Sequence, residues 1–550
     1  METKVFTINS IEKQREELLA AAEIIRTGGL LAIPTETVYG LGADGLNAEA
    51  VRNIFLAKGR PQDNPLILHI ADASWLSRYC ADVPPAAYRL AEAFWPGPLT
   101  MILKRKPIVP DETTAGLNTV GMRCPDHAVT LAIIREADLP IAAPSANRSG
   151  RPSCTTASHV LEDMAGRIDG LVDGGECRVG VESSIIDLTV SPPRLLRPGG
   201  LPLEKLREVL GEIEIDKAVL QKLAESEKPK APGMKYRHYA PKAPVTVFTG
   251  DAKKTARAIA RRAKERSGVI CFEEYQGLYP ASCVQVLGKA KDTEEQARHV
   301  FDALRSFDTR DVTEILAQCP AETGLGLAVA NRLKKAAGFQ MVTLPSAGKT
   351  VFGFTGPSGS GKTRAVRAIE PLGGYAIDCD ALYHEMLRSD RVLQNALRDT
   401  FGADIFKDGQ LDRKALAAIV FRNEQELKRL DEIIFELVPR EVLRRIEVSD
   451  AALIGIDAVN LTDCILLDFC DHTIAVTAPM ELRLARIMER DGLTREEAEM
   501  RIRAQRPEEY YVNRCDERFL SDAPTKEETT ERMRRRIETI LKSEEMKNER

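Results

Sequence analysis

The sequence lacks most of the features that would assign it to a specialised class of protein. None of its 11 cysteines forms a Cys-x-x-Cys pair, so a structural zinc site or a disulfide framework is not expected. No apolar run approaches the length of about 18 residues that spans a bilayer, and Met1 to Lys13 is polar and mixed in charge, unlike a signal peptide. We therefore expect a cytoplasmic protein with reduced thiols and no membrane segment.

The sequence also lacks a strong excess of either charge. Its formal net charge of -5 gives no general attraction to nucleic acid, so direct DNA binding is not expected and any RNA contact would need a local basic patch. A hydrophobic fraction of 43% suits a soluble globular protein. At roughly 150 residues each, three or four domains are expected. We find no internal repeat.

The pattern along the chain is a repeated alternation of helices and strands, which predicts an α/β protein. The first domain is expected at 1–211, an accessory α/β domain at 244–345, and a third domain at 350–550. The segment 212–243 between the first two is charged and rich in proline, a composition typical of a linker. A short tether is expected at 338–349.

Several individual elements can be predicted. Glu16–Thr27 has a helical pattern that ends at two glycines, and Asn47 can cap a helix that runs through Lys58. In the accessory domain the pattern predicts a helix at Ala252–Ser267. The predicted strands are Leu30–Ile33, Leu66–Ile70, Leu99–Leu103, Thr119–Met122, Ile141–Ala143, Ser184–Leu188, Val245–Phe248, Val269–Phe272 and Val351–Thr355.

A complete phosphate-binding motif, Gly-x4-Gly-Lys-Thr, begins at Gly356, between an apolar strand and a helix. Its glycines let backbone N–H groups surround a phosphate, and the helix N-terminus adds positive potential. Lys362 can reach the β- and γ-phosphates of ATP, and the Thr363 hydroxyl can ligate Mg²⁺. The predicted ATP contacts of this motif are Gly356, Ser358, Gly359, Ser360, Gly361, Lys362 and Thr363.

The strand Tyr375–Asp378 ends next to two carboxylates, Asp378 and Asp380. Carboxyl ends of parallel strands lie near the bound ligand, so Asp380 can act as a general base on an acceptor hydroxyl. The alternative is that Asp380 caps the following helix, and both roles can hold.

The C-terminal motifs resemble the dephospho-CoA kinase family, through the strand end at Asp378–Asp380 and the stretches 477–506. The resemblance implies a P-loop fold like that of nucleoside-monophosphate kinases, with Arg486 in a lid over the ATP phosphates. The alternative for Arg486 and Arg490 is an exposed helix face paired with Glu489 or Glu481. Two segments depart from the family pattern on its acceptor side, Asp457–Leu461 and Phe435–Glu436. Another small-molecule kinase, or an ATP-binding regulatory domain, therefore stays open.

Three polar loops follow strands or a helix in the first domain: Pro34–Gly42, Lys58–Pro65 and Pro144–Gly150. Together they carry hydroxyls, amides and two cations, Lys58 and Arg60, which fits a site for a phosphate-bearing ligand. The two cations alone would also suit a helix C-terminus.

These loops, with the segments 121–123, 182–187 and 196–199, resemble the threonylcarbamoyl-AMP synthase (YrdC-type) family. The resemblance extends to 232–241 and to the segment 331–337, as in the two-domain form of the family. It implies a twisted α/β synthase domain and a small Rossmann-like accessory domain that positions the linker. The implied reaction joins L-threonine, bicarbonate and ATP, with Mg²⁺, to threonylcarbamoyl-AMP and pyrophosphate. A separate transferase complex then places the threonylcarbamoyl group on tRNA.

The resemblance also implies which residues form the site. Lys58 and Arg60 would act in catalysis by offsetting the repulsion between two anions, and the linker, rich in Lys235, Tyr236 and His238, would close over the unstable product. The implied threonine-binding residues are Thr37, His69, Arg123, Ala143 and Ser183. The implied ATP-binding residues are Thr35, Lys58, Arg60, Asn64, Thr119, Ser145, Asn147, Ser153, Arg197 and Tyr236. The alternative for this domain is an RNA-binding module, which the lack of interleaved aromatic residues disfavours.

Overall fold

The computed structural model of the chain describes residues 2–62, 64–220, 231, 239–279, 283–407, 410–420 and 423–548. The chain divides into two compact units, Met1–Thr343 and Leu344–Arg550. In the described residues, no helix is long and apolar enough to cross a membrane.

The first part of unit 1 is built on a mixed sheet of eleven strands. Its strands are β1 (Lys4–Thr7), β2 (Leu31–Ile33), β3 (Gly40–Asp44), β4 (Ile67–His69), β5 (Leu99–Lys104), β6 (Thr119–Arg123), β7 (Ile141–Ala142), β8 (Gly170–Asp173), β9 (Ser184–Asp187), β10 (Arg194–Arg197) and β11 (Glu214–Ile215). Their order across the sheet is β1-β8-β2-β3-β7-β4-β6-β5-β9-β10-β11. The central strands are buried on both faces, as sheets covered by helices require.

Nine helices in the described residues cover this sheet or extend its connections. They are α1 (Arg15–Arg26), α2 (Ala48–Lys58), α3 (Leu76–Tyr79), α4 (Pro85–Phe94), α5 (Asp111–Thr114), α6 (Ala128–Ala137), α7 (Ala157–Met164), α8 (Leu203–Leu210) and α9 (Lys217–Leu220). A short 3-10 turn, Ala73–Trp75, precedes α3.

Helix α2 shows how local sequence positions the predicted loops. The Asn47 side chain accepts hydrogen bonds from the N–H groups of Glu49 and Ala50, as predicted, and fixes the start of the helix. The helix ends at Gly59, which has a left-handed φ of 62° that favours glycine. Lys58 and Arg60 therefore flank the helix end.

The second part of unit 1 is a parallel five-stranded sheet in the order β14-β13-β15-β12-β16. Its elements are β12 (Val245–Thr249), α10 (Ala252–Arg262), β13 (Ser267–Cys271), a 3-10 turn (Glu273–Leu278), β14 (Cys283–Val286), α11 (Thr293–Ser306), a 3-10 turn (Phe307–Thr309), β15 (Glu314–Gln318), α12 (Gly326–Ala336) and β16 (Met341–Thr343).

Two expectations for this region were wrong. The helix that begins at Ala252 ends at Arg262 instead of Ser267, because Ala263 is extended and a turn follows it. Ser267 begins β13, where its hydroxyl donates to Glu314 Oε1 (2.8 Å). The expected tether at 338–349 contains the strand Met341–Thr343. This strand pairs in parallel with β12 and forms one edge of the five-stranded sheet.

Unit 2 has a parallel five-stranded sheet in the order β18-β21-β17-β22-β23, and a separate two-stranded hairpin, β19-β20. Its strands are β17 (Thr350–Thr355), β18 (Tyr375–Asp378), β19 (Phe406–Lys407), β20 (Gln410–Leu411), β21 (Leu453–Asp457), β22 (His472–Thr477) and β23 (Glu517–Leu520). The all-parallel order places the carboxyl ends of β17, β18 and β21 at one edge.

The helices of unit 2 pack on both sides of this sheet or form the layer beyond α14. They are α13 (Lys362–Val366), α14 (Cys379–Ser389), α15 (Arg391–Phe401), α16 (Arg413–Val420), α17 (Glu424–Val448), α18 (Leu466–Phe469), α19 (Met480–Asp491), α20 (Arg495–Arg503), α21 (Glu508–Val512) and α22 (Lys526–Asn548), with 3-10 turns at Arg367–Leu372, Ala403–Ile405 and Leu461–Asp463.

The cap of α2 can be tested separately from unit 2. Replacing Asn47 by Ala removes the acceptor for two helix N–H groups, and should lower the free energy of unfolding of unit 1 by about 1 kcal/mol. Both tryptophans of the chain, Trp75 and Trp95, lie in unit 1, so denaturant unfolding followed by tryptophan fluorescence reports this unit. Asn47→Asp keeps an acceptor and is the matched control. Equal losses in the two variants would contradict the capping role.

Candidate functional site

A pocket in unit 1 lies where several elements of the large sheet end. The pairing of β4 with β6 places His69 beside Arg123. The loops that follow β2 and β7 complete the walls of the pocket. Its lining residues are Thr35, Val38, Gly40, Lys58, Arg60, Ile67, His69, Arg123, Ala143, Pro144, Ser145, Asn147, Ser149, Gly150, Arg151, Glu182, Ser183, Arg197 and Tyr239.

Arg123 is the guanidinium at the inner end of this pocket. Its Nη2 lies 2.8 Å from Glu36 Oε2 and donates to Thr37 Oγ1 at 2.8 Å, and both charged side chains are buried. Its Nε is buried without a hydrogen-bond partner. An unpaired buried donor is costly, so this end of the pocket is suited to an added acceptor such as a ligand carboxylate.

His69 adds a neutral polar group beside that guanidinium. Burial, together with the positive charge of Arg123, lowers the pKa of His69 to about 3. The imidazole is therefore neutral at physiological pH and can hydrogen-bond without adding a second charge.

Lys58 is the buried cation of the helix end. Its Nζ donates to the backbone carbonyl oxygens of Ser145 and, at 2.5 Å, of Asn147. Burial lowers the pKa of Lys58 to about 7, and the neighbouring Arg60 acts in the same direction. A polyanion in the pocket would favour the charged form again.

Ser183 and Arg197 form the opposite wall. Arg197 donates from Nε (3.1 Å) and Nη2 (2.9 Å) to the Ser183 carbonyl oxygen, and from Nη2 to Ser183 Oγ at 3.1 Å. Ser183 Oγ also shares a hydrogen bond of 2.7 Å with Thr100 Oγ1. Burial lowers the pKa of Arg197 to about 10, so it stays a cation at neutral pH.

Glu182 connects this pocket to the accessory part of unit 1. Its Oε1 accepts from Ser153 Oγ (2.7 Å), and its Oε2 accepts from Nε of the fully buried Arg332 of α12 (2.7 Å). Arg332 also donates to the Pro198 carbonyl oxygen (2.9 Å) and lies 5.6 Å from the Tyr239 ring centroid. Burial acts to raise the pKa of Glu182. The positive charges of Arg332 and Arg197 outweigh this effect and lower the pKa to about 2.

The glycine loop of unit 2 has the conformation that its motif requires. Gly356 has a φ of 143°, and a Cβ there would lie 2.1 Å from the Val476 carbonyl oxygen. Gly361 has a φ of 95° at the N-terminus of α13. Only glycine fits the first position without displacing the neighbouring strand, so the loop backbone is shaped by the sequence itself.

Asp457 at the end of β21 faces this loop. Its Oδ2 accepts from Thr363 Oγ1 at 3.0 Å, and the register places Asp378 of β18 beside it. Burial raises the pKa of Asp457 to about 6, although Lys362 and the Thr363 bond lower it. Asp457 therefore lies against the P-loop hydroxyl, and not on the acceptor side that the kinase resemblance implies.

The two carboxylates at the end of β18 occupy different positions at the start of α14. Asp378 caps α14 by accepting from the Ala381 N–H at 2.9 Å. Asp380 lies in the first turn of the helix and is exposed. The alternative that Asp380 caps this helix is therefore wrong, because the helix begins two residues earlier, at Cys379, and Asp378 has the extended backbone of a cap.

Arg486 of α19 lies against the P-loop backbone. Its Nη1 donates to the carbonyl oxygens of Gly359 (3.2 Å) and Ser360 (3.1 Å). The alternative pairing of Arg486 and Arg490 with Glu489 or Glu481 is not found, since Arg490 pairs with Asp491 and Glu481 pairs with Arg495.

The two segments that depart from the kinase pattern meet in one pocket of about 190 Å³ beside Asp380. Phe435 of α17 lies on one side, and Ala458, Val459 and Asn460 lie on the other. Apart from Asp380, Asp431 and Asn460, the lining is mostly apolar or weakly polar, and none of the described lining residues is Lys or Arg.

Three family models match the chain in succession. One described as telomere recombination matches residues 23–199, and one described as the C-terminal domain of threonylcarbamoyl-AMP synthase matches residues 201–338. The third, described as dephospho-CoA kinase, matches residues 350–527.

The threonylcarbamoyl-AMP synthase of Pyrococcus abyssi is 50% identical over 342 residues, which are 61% of this chain and 98% of that protein. This chain belongs to the threonylcarbamoyl-AMP synthase family. The Bacillus subtilis synthase is 47% identical over 329 residues, 59% of this chain and 94% of that one. The crystal structure of P. abyssi Sua5 complexed with L-threonine has a TM-score of 0.58 and 47% identity, and covers 62% of this chain and 100% of that one.

The resemblances noted in the sequence are therefore confirmed, and the chain is a bifunctional enzyme. Its N-terminal part is a threonylcarbamoyl-AMP synthase. Its C-terminal part carries a dephospho-CoA kinase domain of α/β fold.

The synthase pocket gathers most, but not all, of the expected residues. Thr37 and Ser153 are one contact away, bonded to Arg123 and Glu182 respectively. Asn64 is buried but is not among the lining residues, and Thr119 begins β6, four residues and about 13 Å of strand from Arg123. Tyr236, with Lys235 and His238, lies outside the described residues.

Sequence reasoning gave no role to Glu36, Glu182, Arg332 or Asp457. Only Asp457 has a local signal, a carboxylate at the end of an apolar strand, as at Asp378. The other three act through partners distant in sequence, such as Arg332 and Glu182, 150 residues apart. No spacing rule shows such a pair.

The depressed pKa of Lys58 predicts that the protein takes up a proton when a polyanion such as ATP binds in this pocket. At pH 8 the free amine is mostly neutral, since its pKa is about 7, and a bound polyphosphate should restore its charge with uptake of close to one proton. Calorimetry of ATP binding at pH 8, in buffers of different ionisation enthalpy, measures this uptake. Lys58→Arg should bind ATP without it, because arginine stays charged. Equal uptake in both proteins would contradict the assignment.

Proposed function

We propose that the synthase pocket condenses L-threonine, bicarbonate and ATP to threonylcarbamoyl-AMP and pyrophosphate. The observation that carries the proposal is the gathering of Lys58, Arg60, Arg123 and Arg197 around one pocket, where they outnumber the carboxylate Glu182 in its described lining. N-carboxy-threonine and the α-phosphate are both anions, so their approach requires fixed positive charge. The relatives support the choice, since the P. abyssi structure is described as a complex with L-threonine.

Threonine would lie at the inner end of this pocket. Arg123 would hold the carboxylate, with its unpaired Nε as one donor. Thr37, His69 and Ser183 would orient the rest of the amino acid, with the Ala143 backbone as a wall. Because His69 is neutral, Arg123 would supply the positive charge that pairs with the threonine carboxylate.

ATP would lie toward the loops that bear Lys58 and Arg60. Lys58, Arg60 and Arg197 would neutralise the phosphates and stabilise the leaving pyrophosphate, by electrostatics and positioning instead of covalent catalysis. Ser145 and Asn147 come from the loop whose carbonyl oxygens hold Lys58. Thr35, Asn64, Thr119, Ser153 and Tyr236 complete the proposed set.

The product is a reactive mixed anhydride, which water would destroy. We assign the protection of this product to the linker 212–243. Tyr239 of this linker lines the pocket, and its ring centroid lies 5.1 Å from that of Phe301 in α11. The product then passes to a tRNA threonylcarbamoyl transferase complex. We place both activities in the cytoplasm, where thiols stay reduced.

The kinase domain would transfer the γ-phosphate of ATP to the 3'-hydroxyl of dephospho-CoA. The P-loop and Lys362 hold the phosphates, and Arg486 stands over the same loop. Asp380 is exposed at the mouth of the acceptor pocket, where it can take the hydroxyl proton.

Magnesium fits the residues around the P-loop. The Thr363 hydroxyl and the Asp457 carboxylate lie 3.0 Å apart, and hard oxygen donors of this kind suit Mg²⁺. Thr363 and Asp457 would hold the ion, which supplies charge neutralisation between the β- and γ-phosphates. Among the described residues no cluster of three or more His, Cys, Asp or Glu could hold a metal.

The threonine assignment predicts a selective effect at Arg123. Arg123→Gln should raise the KM for threonine by about 10- to 100-fold, the effect of one lost charge-assisted contact, and change the KM for ATP much less. Pyrophosphate release that requires both threonine and bicarbonate is the measurement. Arg178→Gln, at an exposed arginine paired with Asp126, is the matched control. Release that needs neither co-substrate would overturn the proposed reaction.

The two activities should be separable by single changes. Lys362→Ala should abolish CoA formation from dephospho-CoA and leave threonine-dependent pyrophosphate release intact. Arg60→Ala should do the reverse. Both reactions are followed in the full chain. A single change that removes both activities, or a titration that finds one ATP-binding centre, would contradict the assignment of two sites.

A further inference from the structure

One wall of the synthase pocket, on the side proposed for ATP, is the segment 145–153 (the 145–153 loop). Its residues Ser145, Asn147, Ser149, Gly150 and Arg151 line the pocket. Residues 146–156 belong to no helix or strand, so the hydrogen bonds of a secondary-structure element do not fix this loop. Its position therefore depends on contacts from other parts of the fold.

Asp163 of α7 holds the loop at Arg148 and Arg151. Its Oδ2 accepts from the N–H group of Arg148 at 3.1 Å, and its Oδ1 pairs with Nη1 of Arg151. The Asp163 side chain is fully buried. A buried carboxylate needs cationic partners to offset its lost hydration, so the arginines that reach Asp163 are part of how the loop is held.

Arg305 of α11 is a second arginine at this carboxylate, and it comes from the accessory part of unit 1. Its Nη2 donates to Asp163 Oδ2 at 2.9 Å and to the Pro152 carbonyl oxygen at 2.6 Å. Its Nε donates to the Ser153 carbonyl oxygen at 3.4 Å. The side chain is buried, with 4% exposed. The planar guanidinium therefore connects α11, α7 and the loop in a geometry that lysine lacks.

Two further contacts from the second half of unit 1 reach the same loop. Arg151 Nη2 lies 3.2 Å from Asp308 Oδ2, in the 3-10 turn that follows α11. The Ala240 N–H group, in the linker, donates to the Gly150 carbonyl oxygen at 2.9 Å. Contacts from outside the first sheet and its helices thus converge on residues 150–153.

The 145–153 loop in turn holds Lys58. The carbonyl oxygens of Ser145 and Asn147 accept from its Nζ, and the Ser149 N–H group donates to the Lys58 carbonyl oxygen at 3.0 Å. A displaced loop would therefore move the Lys58 ammonium together with the side chains that line this part of the pocket.

The inner end of the pocket, proposed for threonine, is held by other residues. Arg123 pairs with Glu36 and donates to Thr37, both in the loop after β2. His69 and Arg123 lie on adjacent strands of the first sheet. A change at Arg305 should therefore affect the ATP end of the pocket and spare the threonine end.

We propose that Arg305 is a positioning residue of the synthase, through which α11 fixes the 145–153 loop and sets the affinity of the pocket for ATP. This inference rests on the proposed function, which places the ATP phosphates beside this loop. Arg305 is not among the described residues that line the pocket, so it acts through Asp163 and the carbonyl oxygens of Pro152 and Ser153. The accessory part of unit 1 thereby contributes to ATP binding separately from its contact with Glu182.

The test is Arg305→Gln in the full chain, followed by pyrophosphate release that depends on threonine and bicarbonate. The KM for ATP should rise about 10- to 100-fold, because the loop loses its charge-assisted contacts, while the KM for threonine stays unchanged. Removing one partner of a buried ion pair also lowers stability. The double variant Asp163→Asn/Arg305→Gln, which leaves no unpaired carboxylate, is therefore measured beside it and should show the same selective rise.

Asp302→Asn is the matched control. Asp302 lies on the same helix and pairs with His159 of α7 at 3.3 Å, so this variant weakens a contact between α11 and α7 that does not include the loop. Both KM values should stay unchanged in the control. An unchanged KM for ATP in Arg305→Gln, an equal rise in both KM values, or the same rise in Asp302→Asn overturns the proposal.

Hydrogen–deuterium exchange of the full chain separates failure of this inference from failure of the proposed function. Arg305→Gln should speed exchange in peptides that cover 148–153 and leave exchange in β4 and β6 unchanged. If the wild type releases no pyrophosphate with threonine and bicarbonate, the proposed reaction fails, and faster exchange in the variant still supports the positioning of the loop by Arg305. Unchanged exchange in 148–153 overturns it.

Discussion

Burying positive charge before its anionic ligand arrives is the constraint that shapes the synthase site. A buried ammonium or guanidinium loses its hydration, and a fully paired one would be neutralised before ATP bound. Lys58 meets this constraint with two backbone carbonyl oxygens, which accept hydrogen bonds but carry no net charge. The pKa of Lys58 is nevertheless lowered, because these two hydrogen bonds do not fully replace the hydration that the ammonium loses on burial. The loop at 145–147 therefore holds Lys58 in the position that the proposed polyphosphate ligand requires.

The same constraint explains the accessory part of unit 1. Glu182 is a buried carboxylate among the cations, and it would be drawn to Arg197 if nothing else held it. Arg332 takes Oε2 and Ser153 takes Oε1, so the carboxylate is fixed. Our expectation gave residues 244–345 the task of positioning the linker, and the contact of Tyr239 with Phe301 agrees with that task. The contact between Arg332 and Glu182 indicates a second task for these residues: helix α12 fixes the position of the Glu182 carboxylate in the pocket.

What could be predicted from the sequence depended on whether the relevant residues are contiguous. The glycine loop at 356–363 is one uninterrupted motif, and its conformation follows from the residues that form it. The cap of α2 is equally local. The pairs Arg332–Glu182 and Thr363–Asp457 join residues 150 and 94 positions apart, and they exist only because separate strands and helices converge. The same holds for the cap of α14, where two aspartates two residues apart left the helix start ambiguous.

The two proposed ATP sites would hold phosphate in different ways, and this difference bears on how each site tolerates substitutions. The P-loop presents backbone N–H groups, whose direction is set by glycine conformations and cannot be altered by exchanging a side chain elsewhere. The synthase presents side-chain cations, each kept in place by its own set of partners: carbonyl oxygens for Lys58, Ser183 for Arg197. A change at a residue that holds one of these cations can therefore displace the charge. The synthase site depends on its supporting residues across two sheets, whereas the phosphate cradle of the kinase depends chiefly on its own loop.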